Sequence, residues 1–446
     1  MRLNSQRMPF LAASGATLLV YWFSLPPHLT PGMSGAYATG AAYAGISHPT
    51  GDPAWTLYAW LFSHLIPVGN LAWRASLASA CAASIACGLI ASLVAQTGGW
   101  ILGGQTRFAR LPPTEENWLR TVAGAVAGIA FGVTPGFWRK ALTPEPHTFG
   151  IMLFCLTLAC IARWFPNPDR RRWLLAAVFA YGVALVSSPH LFAAAFGLVL
   201  VLLMGDCALG RDLFGFSAIL LLGGVGWELF GSVPTLLSNL TQSYAMWGVY
   251  LFVGFVAGLV AAGATVHSRQ LGTQWHWGAA LLLALFSCVS LYLFLPISSM
   301  TNPPMNWSYG REVEGFLALI GRAQYEQIDP GFEFGTFGVQ MTKFGPRILF
   351  DFGLLFLIPA GLTVALIRRW KGLAGRWMGG ILLLAVTMFL LLLGCLSPPP
   401  DAAYRDGLLP FFAGFHVLLA VLSGYGLLIV GTLLGRPGVK REAGGS

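Results

Sequence analysis

Charge is what this 446-residue chain has least of: Asp, Glu, Lys and Arg make up 10% of it, against 56% hydrophobic residues. That ratio excludes a soluble globule, in which about a quarter of the residues are charged. Acids are scarcer than bases, 17 against 26, for a formal net charge of +9. In a soluble protein such an excess points to nucleic acid. In a membrane protein it reports cytoplasmic loops, so nucleic acid is set aside as a partner. The chain has no G-x-x-x-x-G-K-[ST] loop, no cluster at metal-ligand spacing and no nucleophile elbow, which leaves ATPase, metalloenzyme and serine-hydrolase readings without support. Its seven cysteines lie in or at the ends of apolar stretches, so neither a disulfide framework nor a metal site is expected.

What the chain has instead is hydrophobic runs of about 20 residues, the length that crosses about 30 Å of hydrocarbon. They predict an all-α integral membrane protein with about 12 transmembrane helices, near 9–25, 72–96, 118–138, 147–164, 173–188, 190–206, 213–230, 246–266, 275–295, 347–367, 377–396 and 408–434. The fifth and sixth are short, and Ser187-Ser188-Pro189 between them reads as a kink or a tight hairpin. The first run could pass for a signal peptide, but the Pro-Pro after it and the lack of a clean cleavage site favour an uncleaved anchor. With the N-terminus in the cytoplasm, 18 of the 26 Lys and Arg fall on that side, which is the positive-inside arrangement. Both termini are then cytoplasmic, and the large loops 26–71 and 296–346 are extracytoplasmic. Residues 1–435 form one polytopic domain, 436–446 a short basic tail, and the expected location is a bacterial inner membrane.

The first large loop organises the rest. From Thr30 to Arg74 its only Lys or Arg is Arg74, and at its centre stands His48-Pro49-Thr50-Gly51-Asp52-Pro53. Two prolines fix φ and the glycine permits φ > 0, so this turn holds one shape without regular structure. Small residues from Tyr37 to Gly45 predict a short, tightly packed helix before it. Trp55, Tyr58, Trp60 and Phe62 after it predict a helix suited to the membrane interface.

This stretch resembles the first extracytoplasmic loop of the protein O-mannosyltransferase-like family, glycosyltransferase family 117 of the GT-C superfamily. Members typically carry Asp-Ser-Gly-Glu, a short helix, His-Pro-Pro-Gly-Tyr-Pro, an aromatic helix, and Trp-Arg opening the second span. His48, Pro49, Gly51, Pro53 and Trp73-Arg74 fit that frame, whereas the two acidic positions fall at Met33 and Ala36. Further matches follow in family order. Phe137 to His147 resembles a segment ending in Ala-Glu-x-Tyr, with Glu145 on the glutamate; otherwise it reads as a charged cap at a membrane boundary. Pro189-His190 resembles an Asn-His hairpin, or is a packed structural histidine. Asn302-Pro303-Pro304-Met305-Asn306-Trp307 is similar to an Asn-Pro-Pro-x-Asn-Trp segment followed by an amphipathic helix, for which Val313, Phe316, Leu317 and Ile320 supply an apolar face. Tyr404-Arg405-Asp406 sits where the family shows Glu-Arg-Asp-Tyr-Phe, or is a local ion pair.

The resemblance implies a GT-C-type bundle with extracytoplasmic loop helices. It also implies inverting transfer of a sugar from a polyprenyl-phosphate sugar to an acceptor hydroxyl, without a cofactor. A carboxylate must take the acceptor's proton. In the first loop only Asp52 remains for that role, with Glu145 as the alternative and His48 beside them. An Arg fork suits the departing phosphate, for which Arg405 comes first and Arg311 and Arg322 next. Pro49, Gly51, Asn306 and Trp307 frame the loops. The expected partners are membrane lipid, the lipid-linked sugar, and a protein acceptor or membrane complex. The alternatives are a non-catalytic GT-C-like subunit for binding or assembly, and a lipid-linked sugar transporter; a transporter would be expected to show internal repeats, and none is evident.

Overall fold

The computed structural model describes residues 4–103, 111–230, 244–321, 334–396 and 407–434. Among them the chain is helical, with no strand and a single isolated bridge. The helices in order are α1 (Asn4–Ser24), α2 (Ser34–Tyr43), α3 (Pro53–Leu65), α4 (Leu71–Gly103), α5 (Pro113–Gly132), α6 (Pro135–Ala141) and α7 (His147–Trp164). There follow α8 (Arg171–Ser187), α9 (Ala195–Gly205), α10 (Cys207–Phe230), α11 (Tyr244–Ser268), α12 (Trp275–Ser287) and α13 (Phe294–Met300). The last are α14 (Val313–Ile320), α15 (Phe334–Lys343), α16 (Gly345–Phe352), α17 (Leu354–Ala365), α18 (Gly372–Leu396) and α19 (Ala413–Leu434).

The central element is α4, at 33 residues the longest described helix. Its sequence is dominated by Ala, Ser, Gly and Cys, and small side chains let helix backbones approach closely. At Gly124 of α5 an added Cβ would stand 2.4 Å from the Ala91 carbonyl oxygen, and at Gly128 2.3 Å from that of Cys87. Around α4 lie α1, α5, α7 and α19, with α2 and α3 at its first end. Apolar packing alone does not fix register, and a few buried polar bonds add to it. Tyr425 of α19 meets Thr97 of α4 at 2.6 Å and accepts from the Trp377 indole of α18 at 2.8 Å.

Among the described residues seven helices are long and apolar enough to cross a membrane, or nine if two bent pairs each count as one span. The expected count of about twelve is therefore not reached on this measure. The reasons are local. The helix α8 has 17 residues, and the apolar stretch Pro189–Gly205 is also short. The expected straight span 347–367 is broken by 103° between Phe352 and Leu354, where Gly353 adopts φ +102°. Hydropathy averages over such a break. The two large loops are partly helical, as expected: α2 and α3 in the first, α13, α14 and α15 in the second. On α14 the residue that buries fully is Leu319, while Val313 is 75% exposed, so the expected apolar face is rotated.

Candidate loop-face site

The first and second large loops meet. Ile46 donates its N–H to the Met305 carbonyl at 2.8 Å, and Trp307 donates back to the Ile46 carbonyl at 3.2 Å. A hydrogen bond of 2.6 Å from the Ser298 hydroxyl to the Ala44 carbonyl adds a third tie. Beneath this seam Ile46, Leu295 and Leu319 are buried together. The turn fits because residue 51 is glycine: its φ is +92°, and an added Cβ would lie 2.4 Å from a Leu295 methyl.

His48 stands at the centre of this face. Its ring lies 6.0 Å from that of Trp307 and stacks at 6.0 Å on Tyr37 of α2. Its Nδ1 bonds the Pro49 carbonyl at 2.5 Å. Pro49 is buried in the same turn, and Asn306 donates to the Ser299 carbonyl at 3.4 Å.

Asp52 occupies the residue before α3 with φ +40°, a left-handed conformation that short polar side chains tolerate. At that position a carboxylate ordinarily caps the helix. Asp52 makes no such bond; its carboxylate instead accepts from the Tyr37 phenol at 3.4 Å, and it is 5% exposed. Around the turn lie buried polar atoms that find no partner in the protein: the hydroxyls of Ser47, Thr56 and Ser299, the Trp55 indole N–H and the Asn306 carbonyl oxygen. Such groups are costly to bury without a partner.

Glu145 is brought to the same end of the bundle by α4. Its backbone shares two bonds with the Ser79 hydroxyl, and Tyr58 of α3 donates to the Ala78 carbonyl at 3.1 Å. Burial raises the Tyr58 phenol well above its usual range. The Glu145 carboxylate, however, is held by Lys140. Next to it, His147 and His190 stack at 5.3 Å, and His190 meets Phe411 edge-on at 5.1 Å. The His147 Nε2 is buried and finds no partner in the protein. The His190 Nε2 is likewise buried and unpartnered.

Arg311 is exposed and donates to Asn302 at 3.1 Å, on the same loop as Trp307. Arg322, Tyr404, Arg405 and Asp406 lie outside the described residues. Among the described residues no group of three His, Cys, Asp or Glu is placed to hold a metal ion. Sequence reasoning missed Tyr37 as the partner of Asp52, since a tyrosine in an Ala/Gly helix carries no motif. It also missed Asp351, hidden inside an expected span. In the structure the Asp351 carboxylate abuts α6: a Cβ on Gly136 would stand 2.7 Å from its Oδ2.

Residues 34–208, which carry His48, Asp52, Arg74, Glu145 and His190, match the family described as the protein O-mannosyl-transferase TMEM260 N-terminal domain. Through that region the chain is similar to the protein O-mannosyltransferase-like family. A mouse relative named protein O-mannosyl-transferase TMEM260 is 31% identical over 121 residues, 26% of this chain and 16% of its own. A relative of the same name from Dictyostelium discoideum is 23% identical over 447 aligned positions, 96% of this chain and 45% of its own. The chain thus spans less than half the length of these curated relatives. No solved structure matches it.

Proposed function

We propose that this protein is an inverting glycosyltransferase of the O-mannosyltransferase-like type, moving a sugar from a polyprenyl-phosphate donor to a protein hydroxyl at the loop face. The observation that carries the reading is the seam where the two large loops meet at the His48–Asp52 turn, where buried polar atoms from both loops are left without a partner. A sugar has the hydroxyls to satisfy them. In the step itself the acceptor oxygen attacks the anomeric carbon and the bond from that carbon to the phosphate oxygen breaks. The acceptor's proton passes to a carboxylate, for which Asp52 is the candidate, and the lipid phosphate departs with the bonding pair. The Tyr37 phenol would orient Asp52 as it does here.

Arg405, Arg311 and Arg322 are the candidates to receive the departing phosphate by charge-assisted hydrogen bonds. An apolar cavity of about 160 Å³, lined by Ile161, Leu174, Leu198, Leu213 and Leu285 between α7, α8, α9, α10 and α12, is one place in the bundle for a prenyl segment. The fold we assign is GT-C-type, with the loop face extracytoplasmic.

A second reading has its own observation. Both acidic positions of the family's first loop are Met33 and Ala36 here, and Asp52 is almost fully buried. A fold kept for binding or assembly after its chemistry was lost would look this way. Asp52→Asn keeps the shape of the side chain and removes the base. On the transferase reading it lowers sugar transfer by about 10²–10⁴-fold with expression unchanged. Wild-type protein that transfers nothing from any polyprenyl-phosphate sugar, yet co-purifies with a membrane complex, would establish the second reading instead.

A further inference from the structure

Arg74 carries a positive charge that no carboxylate among the described residues answers. Its Nε donates to the Val68 carbonyl at 3.1 Å and a terminal nitrogen to the Ser63 carbonyl at 2.9 Å. It takes part in none of the ion pairs seen. Two backbone carbonyls hold the guanidinium in one orientation but cancel none of its charge. Beside it lies a cavity of about 550 Å³, between α2 and the start of α4. That volume is in the range of small-molecule sites.

The helix α2 separates this cavity from Asp52. Gly35, Ala38, Thr39 and Ala42 line the cavity, whereas Tyr37 and Ala41, on the other side of the helix, pack with Trp55. The cavity therefore lies on the opposite face of α2 from Tyr37, the partner of Asp52.

The walls define the occupant. Asn70 is fully used, donating to the Pro27 carbonyl at 2.7 Å and accepting from the Trp73 N–H at 2.8 Å. Arg74 is then the one ionic group of the cavity, and most of the remaining lining is Ala and Leu. The rim is apolar and exposed: Leu29 is 55% and Leu71 44% accessible. Next to it Trp22, at the end of α1, meets Trp73 edge-on at 5.2 Å. Indoles at the end of an apolar helix mark the membrane–water interface. A ligand for this place is amphiphilic, singly anionic and already in the membrane.

We propose that the Arg74 cavity seats the phosphate head of an anionic membrane lipid, drawn from the leaflet on the loop face. The guanidinium donates to a phosphate oxygen, the acyl stem leaves over Leu29 and Leu71, and no covalent step is involved. The site does not depend on the transferase reading.

Native mass spectrometry of the full chain in detergent tests this, with phosphatidylglycerol, phosphatidylcholine and a polyprenyl phosphate offered separately. Phosphatidylglycerol is expected to be retained about tenfold better than phosphatidylcholine, whose phosphate is answered by its own choline. Arg74→Gln should bring it down to the phosphatidylcholine level. Because Arg74 also braces the 63–68 turn, Thr39→Phe provides the second variant. It fills the cavity, keeps the charge, and should abolish the preference with thermal unfolding unchanged. Retention of the polyprenyl phosphate alone, lost in both variants, would keep the lipid-phosphate chemistry and name the prenyl lipid as its source. Equal retention of the two phospholipids by the wild type, or a preference that survives both substitutions, would overturn the proposal.

Discussion

On the proposed transferase reading two carboxylates are candidates for the base, and their surroundings separate them. Glu145 is already paired: Lys140 holds it, with both side chains partly exposed at 20% and 25%. A pair of that kind contributes about 0–1 kcal/mol, so Glu145→Gln is expected to lower transfer by less than about fivefold, measured with purified protein and lipid-linked sugar. Asp52→Asn should do far more. A large loss in Glu145→Gln with little change in Asp52→Asn would exchange their roles. Asp52 could be singled out from the sequence because it is the one acid in the organising loop. Its environment was not. Tyr37 reaches it across 15 positions through the packing of two helices, and no spacing rule encodes such a contact. His48 beside Trp307 belongs to the legible part, since both stand in rigid Pro-containing segments that a shared face brings together.

The elements depend on contacts that are individually small. Gly51 allows the first loop to pass over Leu295, and any Cβ there both clashes and adopts an unfavourable φ. Gly51→Ala should cost about 1–3 kcal/mol, seen as a lower unfolding temperature, and should loosen the seam between Ile46 and Met305. At the other end of the bundle Arg211, 1% exposed, joins the start of α10 to the turn before α12. It pairs with Asp212 at 2.7 Å and donates to Ser268 and Thr273, while Asp212 accepts from the Gln274 N–H at 2.7 Å. Arg211→Ala leaves Asp212 buried without its partner and is expected to destabilise the protein by about 3–5 kcal/mol, measured by thermal or denaturant unfolding in detergent. Helix positions were readable from hydropathy wherever a run stayed straight, as in α4, α18 and α19. They were unreadable at Gly353, where one apolar run turns by 103°. The buried Arg211 was counted from sequence only as one more loop cation.

At the scale of the whole molecule the remaining question is which side of the membrane the loop face occupies. Its opposite end is marked by Trp100, Phe165 and Trp377, whose rings meet at 5.2 to 6.3 Å. Cations gather around that end. Arg120 donates to the Ala95 carbonyl at 2.6 Å, Arg376 to that of Met204 at 3.4 Å, and Arg163 lies 4.7 Å over the Trp173 ring. The loop face holds fewer, and one of them, Lys140, is paired with Glu145. Positive residues left outside a membrane are few, and this asymmetry is the ground on which we propose that the loop face lies outside and the Arg-rich end in the cytoplasm. Single cysteines at Ser308 and at Pro166, each in a chain whose seven native cysteines have been replaced, test this in intact cells. A membrane-impermeant maleimide should modify the first and reach the second only after permeabilisation. Transfer onto an exported acceptor requires that pattern, because the His48–Asp52 turn and Trp307 share one face. Labelling at Pro166 and protection at Ser308 would put the same turn in the cytoplasm, and the acceptor would then have to be sought among proteins that never cross.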